Sequence, residues 1–217
     1  MRRSAAIAYY ARVVTRGTDV QLSQLEIRPI EPDDKDALAQ GFDRLSERSR
    51  YRRFLSPRGP LTEAELSYLT EVDHRDHEAL VAVEPESGEG VGVARFVRSP
   101  EDRHVAELAV AVADDWQGHG VGSLLVAELA KRAREEGIAC FTALALAEND
   151  AMLGLLEDLG EVRTGQPQLG TVELAVDLPD EGLSRLRRLL RAVARGDVTV
   201  LLRRTGRLIT PRAPERS

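Results

Sequence analysis

Hydrophobic and polar positions along the chain change period several times, and each change marks an element. Residues 25–30 alternate and predict a strand. Pro32, Asp33 and Asp34 open a helix reaching to about Leu45, with acids suited to a first turn. An arginine-crowded stretch, 46–54, runs to a Pro/Gly break at 57–60. Thr62 and Glu65 have capping-box spacing and start a second helix running to about Val72. Three strands follow at 78–84, 91–97 and 105–113, joined by turns at 87–90 and 99–103, as in an antiparallel meander. Glu107 interrupts the third strand, on the face opposite Leu108, Val110 and Val112.

Beyond a glycine-rich run, Leu124, Leu125, Leu129 and Ala133 recur at helical spacing up to Gly137. Residues 138–147 hold one polar side chain, Thr142, and predict a strand buried on both faces. Asn149 caps a helix over 150–159 that Gly160 stops, and strands follow at 161–163 and 171–178. The order is β-α-α-β-β-β-loop-α-β-α-β-β. Neither a βαβ wind nor an all-β chain reads this way, so the class is α/β with a mixed sheet. A helix over 181–195 with an apolar stripe of Leu183, Leu186, Leu190 and Val193, and a strand over 198–202, form a C-terminal helix-strand extension. The chain divides into an N-terminal extension (1–24), one α/β domain (25–178) and a basic tail unit (179–217).

Composition adds limits. At 217 residues, 42% hydrophobic and 30% charged, the chain has the makeup of a soluble globular protein. The net charge of −6 gives no general case for nucleic acid. Ten arginines against three acids make residues 181–217 basic; docking on the acidic remainder, or a homodimer contact, is the expected use. Cys140 is the sole cysteine and sits in an apolar run, so it reads as a buried thiol. With no intramolecular disulfide available, a reducing cytoplasm is the expected location. No stretch has the ~20 apolar residues needed to cross a membrane. The four histidines lack metal-ligand spacing, so no metal is expected.

The chemistry concentrates in the run Gln117, Gly118, His119, Gly120, Val121, Gly122, Ser123, between a strand and a helix. Alternating glycines expose backbone N–H groups, and a helix N-terminus adds partial positive charge, which suits a pyrophosphate. A dinucleotide site would need G-x-G-x-x-G after the first strand of a βαβ unit. Here the spacing is G-x-G-x-G and several strands precede it. Gln117, Gly120 and Gly122 instead satisfy [Q/R]-x-x-G-x-[G/A]. With the strand 108–112 before it, the Leu-rich helix after it and Asn149 beyond, the chain resembles the GNAT acetyltransferases over residues 25 to about 178. More narrowly, 49–54 (Ser-Arg-Tyr-Arg-Arg-Phe), 69–73 (Leu-Thr-Glu-Val-Asp), 93–96 (Val-Ala-Arg-Phe) and 113–118 (Ala-Asp-Asp-Trp-Gln-Gly) resemble the catalytic domain of bacterial protein-lysine acetyltransferases of the Pat type. Some relatives of that type carry a cyclic-nucleotide-binding domain, for which the 24 residues before the first strand leave no room.

The resemblance implies a mixed, mostly antiparallel sheet flanked by helices, and acetyl-CoA as acyl donor. Main-chain groups of Val110, Ala111 and Val112 would hold the pantetheine arm. Residues Gln117, Gly118, His119, Gly120, Val121, Gly122 and Ser123 would wrap the pyrophosphate. Asn149 and Met152, in the first turn of its helix, would flank the pantetheine near the thiol; Asn149 also reads as a plain N-cap. Neutralising a lysine ammonium at pH 7 costs about 4.6 kcal/mol, so an amine acceptor needs a base. Glu107 matches the catalytic glutamate of several protein-acetylating relatives. The tyrosine that often serves as acid for the leaving thiolate aligns with Leu156, and water is left to protonate it. Arginines in 48–53 read either as a solvated helix end or as a site for an acidic surface or a substrate carboxylate. The function implied is acetyl transfer to a primary amine by direct attack, with protein lysine the leading acceptor. A small-molecule amine and a non-catalytic acyl-CoA-binding module are the alternatives.

Overall fold

A computed structural model describes residues 25–178. The expected N-terminal extension, the 181–195 helix and the 198–202 strand lie outside the described residues. Strands β1 (Glu26–Pro29), β2 (His77–Val83), β3 (Gly90–Arg98), β4 (Val105–Val112), β5 (Cys140–Leu146), β6 (Val162–Thr164) and β7 (Thr171–Asp177) form one sheet, in the order β1-β2-β3-β4-β5-β7-β6. The helices are α1 (Lys35–Asp43), α2 (Glu47–Phe54), α3 (Glu63–Thr70), α4 (Val121–Glu135) and α5 (Asp150–Glu157).

Every strand pairing is antiparallel except β4 with β5. That parallel pairing covers only Val105 with Cys140, Ala106 with Phe141 and Glu107 with Thr142. β4 continues along β3 as far as Val112, and β5 continues along β7 as far as Leu146. The sheet therefore forks after Glu107, and β5 is not the doubly buried strand its composition suggests. Phe141, Ala143 and Ala145 are buried, but Leu144 is 53% exposed, because its face looks into the fork.

α4 places Val121, Leu125, Val126 and Leu129 in the main core with Leu80, Ala82, Phe96, Leu108 and Phe141. The opposite face of β2, Ala79 and Val81, packs with Ile30 against Leu38 of α1. Both faces of β2 are thus covered, which accounts for its continuous apolar run. Gly92 fits that packing closely: a Cβ there would lie 3.0 Å from Leu125 Cδ1 and 3.3 Å from the Ala111 carbonyl oxygen.

The arginine-rich 46–54 stretch forms a separate helix. Ser46 caps α2 by accepting the Ser49 amide, and Leu55 at φ 55° ends it. Propensity also runs true at α3, where the Thr62–Glu65 capping box forms in both directions.

Candidate acyl-CoA and acceptor cleft

A cleft of about 570 Å³ opens where β4 and β5 part. One wall is β4 from Glu107 to Val112, and the facing wall is Leu144, Ala145 and the start of α5. The floor is the glycine loop, and α2 roofs it with Ser49, Arg52, Arg53 and Phe54.

The polarity of β4 follows from its hydrogen bonding. The Ala113 amide donates to the Val91 carbonyl at 2.9 Å, toward β3. In an antiparallel ladder main-chain groups alternate sides, so Val110 and Val112 turn theirs toward the cleft, while those of Ala111, expected to hold the pantetheine too, are turned to Val93 of β3. The side chains follow the other alternation: Leu108 packs in the α4-side core, while Ala109 and Ala111 face α1 and α2. An extended chain laid in the fork can add to β4 as a strand would.

At the floor Gly118 (φ 76°) and Gly120 (φ 86°) take left-handed conformations that a side chain would strain. Gly120 is the N-cap of α4 and provides no side-chain cap, so the first amides of a fifteen-residue helix remain free to bind an anion. Gly122 keeps the seat open, since a Cβ there would lie 3.2 Å from Leu155 Cδ2. The Ser123 hydroxyl donates to Asp158 at 3.0 Å and ties the start of α4 to the end of α5.

Eleven of the thirteen expected site residues line this cleft: Glu107, Val110, Ala111, Val112, Gln117, Gly118, Gly120, Gly122, Ser123, Asn149 and Met152. Two do not. The Val121 side chain is 1% exposed in the core, leaving only its backbone for the seat. The His119 ring turns away, with a buried Nδ1 that meets no hydrogen-bond partner. Asn149 is a working cap, accepting the Met152 amide at 3.3 Å. Met152 itself is largely core, 8% exposed, with its edge at the cleft. Leu156 is fully buried; the α5 residues that reach the cleft are Asp150, Ala151, Met152, Gly154, Leu155 and the following Asp158. Trp116 packs against the core beneath the loop. No tyrosine, histidine or cysteine lines the cleft among the described residues.

Glu107 sits at the fork itself, in the last β4–β5 pair, exposed to the cleft. Arg52 and Arg53 face the same space from α2, so the arginine segment is not simply a solvated helix end. Arg50, by contrast, lies over the Phe42 ring at 4.7 Å and donates to the Asp43 carbonyl.

A polar knot that sequence reading missed joins roof to floor. Asp114 Oδ2 accepts the Ser46 amide at 2.8 Å, while its Oδ1 accepts the Ser49 hydroxyl and Gln117 Nε2. Gln117 Nε2 also donates to the Val112 carbonyl at 3.0 Å. Burial opposes ionisation of Asp114, but the hydrogen bonds from Ser49 and Ser46 outweigh it and hold the carboxyl below its usual range. The Ser46/Ser49 spacing was the only sequence signal, and it gives no hint of a partner 65 residues away.

Comparisons with known proteins agree with this geometry. The Acetyltransferase (GNAT) family profile matches residues 43–160. Acetyltransferase Pat of Mycolicibacterium smegmatis is 40% identical over 153 residues, which is 70% of this chain and 45% of the relative. The match thus spans less than half of that protein. Acetyltransferase PA5475 of Pseudomonas aeruginosa is 34% identical over 147 residues, 67% of this chain and 78% of the relative. Among solved structures, the GNAT domain of S. lividans PAT superposes with a TM-score of 0.67 at 32% identity, covering 77% of this chain and 96% of that domain.

Proposed function

The chain belongs to the GNAT acetyltransferase family, and we propose that it transfers an acetyl group from acetyl-CoA to a lysine side chain of a protein. Acetyl-CoA is the donor. The fork would take its pantetheine arm along the cleft-facing main-chain groups of Val110 and the Val112 amide, the Val112 carbonyl being held by Gln117, and the α4 N-terminus would take its pyrophosphate. The observation that carries the reading is Glu107 at the vertex of the fork, where one end of the cleft-lining β4 segment meets a carboxylate with no ion pair among the described residues.

The chemistry is a direct displacement. The neutral amine attacks the thioester carbonyl carbon, forming an N–C bond as the C–S bond breaks. The proton leaving nitrogen passes to Glu107, directly or through one water. Electrons of the broken bond leave on the CoA sulfur, a thiol acidic enough to depart near neutrality, and water protonates it. Main-chain donors at the fork can stabilise the carbonyl oxygen as it becomes negative.

The test is release of free thiol from acetyl-CoA with lysine-bearing proteins and with small amines. Acceptor-dependent release is expected, and Glu107→Gln should lower kcat by about 10²-fold or more while acetyl-CoA binding persists. A wild-type rate in Glu107→Gln would remove Glu107 from the role of base. Tight CoA binding with no release for any acceptor would favour a binding module over an enzyme.

A further inference from the structure

Two guanidinium groups sit behind the acceptor side of the cleft without a carboxylate to neutralise them. Arg53 lies where the cleft meets a second, smaller cavity of about 100 Å³, and it lines both. Its guanidinium stacks over the Phe54 ring at 4.8 Å and makes neither hydrogen bond nor ion pair among the described residues. Arg95 projects from β3 into the smaller cavity and is 5% exposed. Two neutral groups share its Nη1, the Leu69 carbonyl at 3.2 Å and His77 Nε2 at 3.1 Å. The other arginine of that cavity, Arg28, is already paired with Asp34 at 2.7 Å. Neighbouring Arg58 is bound to Glu65. Much of the remaining wall is apolar, including Phe54, Leu69, Ala109 and Ala111.

This arrangement is costly for folding alone. Arg95 is a buried cation whose lost hydration is offset only by two neutral partners, and the half-buried charge of Arg53 repels it. Burial pulls both arginines below their ordinary pKa values, and the charge of Arg53 pulls Arg95 further. Glu107 is the acid that favours the charged form of Arg53. At the vertex of the fork the protein therefore presents a carboxylate and a guanidinium that attract each other but do not touch. The space between them suits a molecule with the reverse order, an amine toward Glu107 and an anion toward Arg53.

We propose that Arg53, backed by Arg95, binds a carboxylate carried beside the reacting amine, so that the favoured acceptor is a lysine in an acidic stretch of polypeptide. The carboxylate takes a bidentate, charge-assisted contact from the Arg53 fork, a geometry that a lysine at position 53 would not reproduce. Arg53 is a specificity residue: it selects which lysine reaches Glu107 and takes no part in the proton transfer. The proposal rests on the lysine reading above, and its test separates the two.

Two peptides with a single lysine are compared, identical except that flanking glutamates in one are glutamines in the other. Wild-type protein should acetylate the glutamate peptide with about tenfold higher kcat/KM, through KM. Arg53→Gln should bring the glutamate peptide down to the level of the glutamine peptide, and Arg53→Lys should restore part of the difference. A general folding defect would lower both peptides together and leave their ratio intact. Equal kcat/KM for the two peptides with wild-type protein overturns the proposal. A preference that survives Arg53→Gln overturns the assignment to Arg53. Free glutamate and its α-amide are run alongside. Transfer to the free amino acid that depends on its carboxylate and on Arg53, with neither peptide acetylated, overturns lysine as the acceptor and keeps the anion subsite.

Discussion

Asp114 accepts the Ser49 hydroxyl across the mouth of the cleft, and through that bond the acceptor-side helix is fastened to the turn that opens the glycine loop. The same carboxylate takes the Ser46 amide and Gln117 Nε2, so one side chain sets α2 and the loop in register. Asp114→Ala strips three donors of an acceptor. It should cost about 1–3 kcal/mol of stability. KM should rise for acetyl-CoA and for acceptor alike, with kcat far less affected. Ser49→Ala removes one bond of the set and should give a weaker version of the same pattern. Steady-state kinetics with each substrate varied in turn, beside thermal melts, would check this; a change confined to kcat would contradict it.

Two strands away from β4, Glu78 is 0% exposed and anchors β2 to α4. It meets His74 Nδ1 at 2.7 Å and accepts the Ala79 amide at 3.0 Å and Arg132 Nε at 3.3 Å. Glu78→Ala would leave these groups facing a void. Because Arg132 is partly exposed and can rehydrate, the expected loss is toward the low end for a broken buried pair, about 3 kcal/mol. Urea unfolding measures it, and the protein that remains folded should bind acetyl-CoA as before.

His77 gives the protein a mild acid sensitivity. Burial, and then the neighbouring Arg95 charge, lower its pKa from 6.5 to about 4; Asp73 and Glu78 oppose the shift without reversing it. Between those values the unfolded chain binds a proton that the folded one does not. The stability gained from a neutral His77 is therefore complete above about pH 6.5, declines as pH falls to about 4, and changes no further below that. The whole shift is worth about 3 kcal/mol, which the half-buried position of the ring reduces to about 1–2 kcal/mol. His77→Gln should flatten the stability profile between pH 6.5 and 4, measured as the difference from wild type.

Gly120→Ala tests the anion seat. At φ 86° an alanine adopts a left-handed backbone at a cost of about 1–2 kcal/mol, at the residue that caps the free α4 amides. KM for acetyl-CoA should rise. Gly122→Ala, whose added Cβ crowds the flexible tip of Leu155 and makes an ordinary contact with Val112, should be milder. Isothermal titration with CoA compares the two; equal affinities would contradict the assignment of the seat.

Local signals in the sequence carried the strands, the α3 capping box and the glycine loop, because each depends on residues within a few positions of one another. The fork did not show. Residues 138–147 read as uniformly buried, since composition reports apolar character and not whether a neighbouring strand diverges. Leu144 is apolar and faces the cleft, where an apolar surface is of use to a ligand. The end of α1 near Leu45 was legible, but α2 was not: residues 46–54 are crowded with arginine and carry too few apolar positions for a helical stripe to show. Glu107 was legible as a polar intruder in an apolar strand. Its pairing partner, Thr142, and the company of Arg53 came only with the tertiary structure.

Three residue pairs join the β1–β4 half of the sheet to the β5–β7 half through main-chain hydrogen bonds. Past them, in the proposed reading, the pantetheine arm of the donor would be the missing seam. Donor binding would then stitch two half-sheets into one, and a ligand at 100 times its Kd would add about 2.7 kcal/mol to stability. Amide hydrogens of β5 and β7 should exchange more slowly when CoA is present, those nearest Leu146 most of all. The enzyme would be most nearly a finished β-sheet while its substrate is bound.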